Sequence, residues 1–153
     1  MRKFLAFGPP SGIMKRSEGE KAVHAVNEET ELHVITPDEP GIFGRVLGTL
    51  ANAGVNVRAL YVYSETDQGH FHLLTSDPVK AENALRTLGY KVKGKKVVTC
   101  LVTDRIGAGA EIGALLGNAV IDIQYSYGST AGEGETLLVF QTSNNRKAVE
   151  TLK

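Results

Sequence analysis

The chain repeats itself. Displaced by 66 residues, the segment 31–64 lies on 97–130 without a gap. Asp38, Gly41, Leu50, Asn52, Ala53 and Tyr61 then fall on Asp104, Gly107, Leu116, Asn118, Ala119 and Tyr127. The apolar pattern travels with these identities, with Val55 and Val57 falling on Ile121 and Ile123. After one added residue, Thr75-Ser76-Asp77 matches Thr142-Ser143-Asn144, Lys80-Ala81 matches Lys147-Ala148, and Leu85 matches Leu152. A repeat of this length means that one supersecondary plan is used twice, which constrains the fold more than any single motif.

The plan is legible in the first copy. Leu32 to Thr36 is β-branched and strand-like, and Pro37-Asp38-Glu39-Pro40-Gly41 breaks it. Ile42, Val46, Leu47 and Leu50 recur at helical spacing, and Gly54 stands where a helix stops. Val55–Ser64 and Gly69–Ser76 read as strands around a turn at Glu65–Gly69. Asp77 and Pro78 open a second helix as N-cap and first helical residue, carrying Val79, Ala84, Leu85 and Leu88 and ending at Gly89. Tyr90–Lys93 reads as a short strand, followed by a turn at Gly94-Lys95-Lys96. The order is βαββαβ, the split βαβ arrangement. The expected fold is α+β: two ferredoxin-like repeats in one extended antiparallel sheet, with helices on one face.

Three segments follow: an extension over 1–30, a first repeat over 31–96 and a second over 97–153. The second repeat lacks its last strand, which would leave Val97–Val102 as a bare apolar edge, an arrangement that natural sheets avoid. The extension is punctuated by Gly8-Pro9-Pro10-Ser11-Gly12. Ser17–Glu29 is charged, with weak helical spacing of Ala22, Val23 and Val26, and reads as a tail or a loosely docked helix. Arg2 to Phe7, or a partner chain, is the expected occupant of the vacant edge.

Composition removes several classes. Lys plus Arg (17) balances Asp plus Glu (17), which argues against phosphate-driven nucleic-acid binding. No apolar run is long enough to span a bilayer, and Phe4 to Phe7 is too short for a signal-peptide core; the expected location is the cytoplasm. A single cysteine, Cys100, excludes an internal disulfide and the multi-cysteine zinc patterns. Flanked by Val98 and Val102 at strand period, it reads as core rather than as a reactive thiol. A Gly-Lys-Ser/Thr phosphate loop and a Gly-x-Ser-x-Gly elbow are both missing, and Gly107-Ala108-Gly109-Ala110 is not in a dinucleotide-binding context. No cofactor is expected.

Thr36-Pro37-Asp38-Glu39-Pro40-Gly41-Ile42-Phe43 at a strand-to-helix turn, followed by Asn52-Ala53-Gly54-Val55-Asn56-Val57 into a strand, resembles the ACT domain. Two copies in one small chain resemble the stand-alone tandem ACT proteins over Glu31–Lys153. The resemblance implies a non-enzymatic regulatory module, usually for amino acids. Such modules pair edge to edge, and effectors sit at the seam between the first turn of one module and the second strand of the next. It therefore implies a ligand sensor with an amino-acid ligand, a homodimer and a regulated protein partner. The implied ligand-binding residues are Thr36, Asp38, Gly41, Ile42 and Asn56, with Asp104, Gly107 and Asp122 in the second copy.

The residues themselves support such chemistry. Free N–H groups near Ile42 and Phe43 suit a carboxylate. Asp38 suits an ammonium group, and Asn56 offers donor and acceptor. The competing reading is structural: Asp38 caps the helix, Gly41 permits the turn, and the protein is an interaction module without a ligand. The second copy loses the proline and has Asp122 in place of Asn56. His33, His70 and His72 fall on the sheet face opposite Leu32, Val34, Phe71 and Leu73. They fit either a zinc or nickel site or polar residues on a solvated sheet, and the second reading is preferred. Tyr61, Tyr63, Tyr125 and Tyr127, at period 2, are expected to pack under or across the seam.

Overall fold

A computed structural model describes residues 22–130, 132 and 134–153. The elements are β1 (Val23–Pro37), α1 (Ile42–Asn52), β2 (Val57–Glu65), β3 (Gln68–Thr75), α2 (Pro78–Arg86), β4 (Lys91–Thr103), α3 (Ala108–Asn118), β5 (Ile123–Ser129), β6 (Glu135–Thr142) and α4 (Asn145–Leu152). They form an α+β chain with two compact units, each ferredoxin-like. The first is Thr30–Lys96; the second is Val97–Lys153 with the described residues up to Glu29.

In the first unit the strand order is β2-β3-β1-β4. The β1–β3 and β2–β3 ladders are antiparallel, with Leu32 opposite Leu73, Val34 opposite Phe71 and Leu60 opposite Leu73. Strand alternation sends Leu32, Val34, Phe71 and Leu73 to one face. There they pack with Ile42, Val46 and Leu50 of α1 and Ala81 and Leu85 of α2. The α2 start behaves as its sequence predicts: the Asp77 side chain accepts from Lys80 N at 2.9 Å, with Pro78 at the first helical position.

The second unit has the order β1-β4-β6-β5 and reuses the same positions. Val98, Cys100, Ile112, Leu116, Ile121, Phe140, Ala148 and Leu152 form its core. Equivalent core positions differ in size between the copies but stay apolar. Ile42 becomes Ala108 and Val34 becomes Cys100, while Val46 becomes Ile112 and Leu73 becomes Phe140, so each core is packed with its own set of side chains. Burial raises the Cys100 thiol pKa to about 11, so it is an inert core residue at neutral pH.

Two sequence expectations are corrected. The helix or tail expected within Ser17–Glu29 is, over the described residues, the first half of β1. It fills the edge beside β4 in the second unit. Thr103 N donates to Ala22 O at 2.8 Å, Thr99 Oγ1 donates to Glu29 Oε1 at 2.7 Å, and Val26 enters the core. Val26 does for the second unit what Val92 of β4 does for the first. A ladder partner outweighs the weak helical spacing that the local sequence carries. Arg2 to Phe7, the expected occupant of this edge, lies outside the described residues.

The expected turn at Gly94-Lys95-Lys96 is also absent, because β4 runs unbroken from Lys91 to Thr103. Gly94 serves close approach instead: a Cβ there would stand 3.3 Å from Thr30 Cγ2. Among the described residues no helix is long and apolar enough to cross a membrane.

Candidate functional site

The β1–α1 turn begins on a buried peg. Thr36 is 2% exposed, and its Oγ1 donates to Pro37 O at 3.0 Å and, more loosely, to Gly69 O at 3.4 Å. A Cβ at position 69 would lie 2.7 Å from that oxygen, so Gly69 is required by the close approach of β3. The Asp38 amide donates to Asp67 O at 3.1 Å, tying the turn to the β2–β3 hairpin. Gly41 then adopts φ 86°, a left-handed conformation that glycine tolerates, and α1 starts at Ile42.

Among the described residues no side chain caps α1. Asp38 is exposed and accepts no hydrogen bond among the described residues, so the structural reading in which it caps the helix does not hold. The Ile42 amide, expected to be free, donates to Glu39 O at 3.2 Å, and the Ile42 side chain is buried. Beside the turn lies a cleft of about 270 Å³ whose walls include Thr36, Pro37, Asp67, Gln68, Tyr90 and Lys91.

Asn56 is not part of this end of the unit. Its amide donates to Ser76 Oγ at 3.0 Å, and its carbonyl accepts from Ser76 N at 2.9 Å, which fastens the start of β2 to the end of β3. Thr36 pairs with Gly69 near the opposite end of β3. Seven residue-to-residue steps lead from Gly69 to Ser76, about 23 Å at the rise of a strand. One unit therefore cannot present Asp38 and Asn56 to the same small molecule.

The second unit repeats the geometry with different chemistry. Gly107 has φ 87° before α3. The Asp104 amide donates to Gly134 O at 2.8 Å, while the Asp104 carboxylate accepts a short hydrogen bond from Thr130 Oγ1. Asp122 is fastened to Ser143 as Asn56 is to Ser76, with its amide 3.0 Å from Ser143 Oγ. Arg105 pairs with Glu111 at 2.6 Å across the turn. At the equivalent positions of the first unit, Glu39 pairs with Arg45 at 2.6 Å, with the signs reversed. Sequence reasoning missed these clasps, although the reversal at an offset of 66 is written in the residues.

The three histidines do come together, but not on a solvated surface. His70 and His72 are 9% and 5% exposed, and Glu31 beside them is fully buried. His33 Nε2 is 3.1 Å from His70 Nδ1, and His72 Nδ1 is 2.8 Å from Glu31 Oε1. The His33 ring stacks on His72 with centroids 4.5 Å apart, and Tyr63 stacks on His70 at 4.9 Å. Tyr61 lies 5.7 Å from His72. Tyr61 and Tyr63 thus extend the stack across β2. Among the described residues no three His, Cys, Asp or Glu side chains are arranged to hold a metal ion.

Comparison with known proteins agrees with this architecture. A family model described as an ACT domain pair matches residues 29–153. Protein BT0572 from Bacteroides thetaiotaomicron is similar in structure, with 26% identity and a TM-score of 0.77 over 83% of this chain and 88% of that one. The ligand-free regulatory subunit of aspartate kinase from Thermus thermophilus shares the fold at 15% identity, with a TM-score of 0.62 over 86% and 97% of the two chains. The aspartokinase alpha and beta subunits do so at 20% identity and 0.61, over 86% and 96%. No curated protein matches by sequence.

Proposed function

Because this chain belongs to the ACT domain pair family, we propose that it is a non-enzymatic regulatory protein that binds a small molecule, an amino acid, at the β1–α1 turn. One observation carries the reading. Asp38 is exposed and unbonded among the described residues, next to a helix start that no side chain caps. An unpaired carboxylate beside uncapped N–H groups complements an ammonium and a carboxylate on one ligand. Thr36 supports the backbone from behind, and Gly41 leaves room for close approach.

Asn56 joins this site only if a second module brings it, so a homodimer with the ligand at the seam is part of the proposal. A ligand that bridges two modules favours the paired state, and that shift of population is the regulatory signal, read by a partner protein. The second turn is the poorer site. Its Asp104 carboxylate is already bonded to Thr130, and Glu111 stands in the first turn of α3. Ile106, 98% exposed there, favours a different use of that end, contact with another protein.

A thermal-shift screen against the twenty amino acids, run beside Asp38→Ala, tests this. A ligand at 100 times its Kd stabilises by about 2.7 kcal/mol, which raises Tm by several degrees in a chain of this size. The expected result is a shift for one amino acid that the variant loses. No shift for any of the twenty would replace the sensor with an interaction module.

A further inference from the structure

The imidazole stack is the most heavily built polar feature of the first unit, and ligand binding at the turn makes no use of it. His33 and His70 face each other nitrogen to nitrogen at 3.1 Å. That contact is a hydrogen bond only while one of the two facing nitrogens is unprotonated. With both protonated it becomes two donors in opposition. Most of the neighbours oppose a charge on His33, and Glu31 offsets them only in part. His72 lies face to face with His33, and Lys95 on β4 adds a further positive charge. Glu31, the buried carboxylate on β1, already accepts from His72 Nδ1. On β2, Tyr61 and Tyr63 close the stack, and burial together with Glu65 holds the Tyr63 phenol in its protonated form.

We infer that His33, His70 and His72 form a proton-released latch between β1 and β3. While the His33–His70 pair holds at most one proton in its contact, the ladder is closed. A second proton, taken up only on strong acidification, turns the contact repulsive and loosens β1 three residues before Thr36, where the strand enters the turn.

The pH direction follows from the environment. Burial first, then His72, His70 and Lys95, lower the His33 pKa to about 4, against the weaker opposing pull of Glu31. The unfolded chain, with an ordinary histidine near 6.5, takes up its proton first as pH falls. The stabilising contribution of neutral His33 is therefore complete above about pH 6.5 and shrinks as pH drops. Below about pH 4 it is lost, because both states are then protonated.

The experiment is a pH series on the full chain. Unfolding free energy and Tm are followed from pH 7.5 to 4, and the histidine ring protons are titrated by NMR. The expected result is a His33 ring that stays neutral to about pH 4. Wild-type stability should fall between pH 6.5 and 4, and His33→Gln should remove close to one proton from that dependence. His70→Gln deletes the other half of the contact and should flatten the profile in the same way, which keeps the test open if the first variant folds poorly. A His33 ring that titrates near 6.5 in the folded protein, or two variants that retain the wild-type pH slope, would overturn the latch.

Discussion

Val120 shows what the repeat tolerates at a single position. Its counterpart Gly54 ends α1 with φ 71°, whereas Val120 ends α3 with φ 57°. The flanking hydrogen bonds are the same in both: Val55 N donates to Leu50 O and Ile121 N to Leu116 O, each at 2.9 Å. A β-branched residue in the left-handed region carries a cost of roughly 1–2 kcal/mol, and Val120 is 71% exposed, so little burial offsets it. Glycine forfeits part of that gain through its greater freedom when unfolded. Val120→Gly should therefore raise stability by about 0.5–1 kcal/mol, seen as an increase in Tm of a few degrees. An unchanged or lower Tm would mean that the valine side chain makes a contribution its exposure does not reveal. Asp38 carries the opposite lesson. The sequence permitted a helix cap there, and the path of the backbone through Gly41 excludes it.

Among the elements, β1 departs furthest from its local sequence. Ala22, Val23 and Val26 are spaced as on a helix, yet the segment is strand because β4 offers an unpaired edge and the second core has a place for Val26. A charge at this position tests whether the strand is part of that core. Val26→Asp buries an unpaired carboxylate and should cost about 3 kcal/mol or more in urea unfolding. A loss below about 1 kcal/mol would show that the strand is peripheral. The turn clasps are read at the same scale. Glu39–Arg45 and Arg105–Glu111 occupy equivalent positions with opposite signs, so what both copies retain is the pairing, not the charge of either end. Such pairs contribute about 0.2–1 kcal/mol when exposed. Each holds the turn against the helix start.

At the scale of the whole chain, 17 basic and 17 acidic residues cancel. Proteins near zero net charge associate most readily. Solubility should pass through a minimum close to pH 7 and rise on either side, as concentration after ammonium sulfate or polyethylene glycol precipitation would measure. A minimum displaced by more than about two pH units would mean that buried groups such as the histidine stack hold protons in an unusual pattern.

Much of this protein was determined by its sequence alone. The repeat at 66 residues, the βαββαβ order, the apolar faces of α1 and of the first sheet, the Asp77 cap and the glycines of the two turns are all local or periodic signals. Local sterics and the period of side chains along a strand or helix are sufficient to produce them. Tertiary structure decided the rest. It made a strand of residues 23–29, carried β4 unbroken through Gly94, set Asp38 and Asn56 at opposite ends of one unit, and buried His70 and His72, which alternation placed only on a common face with His33. Each of these depends on a partner distant in sequence, whose hydrogen bonds or low-dielectric surroundings a reading of neighbouring residues does not contain.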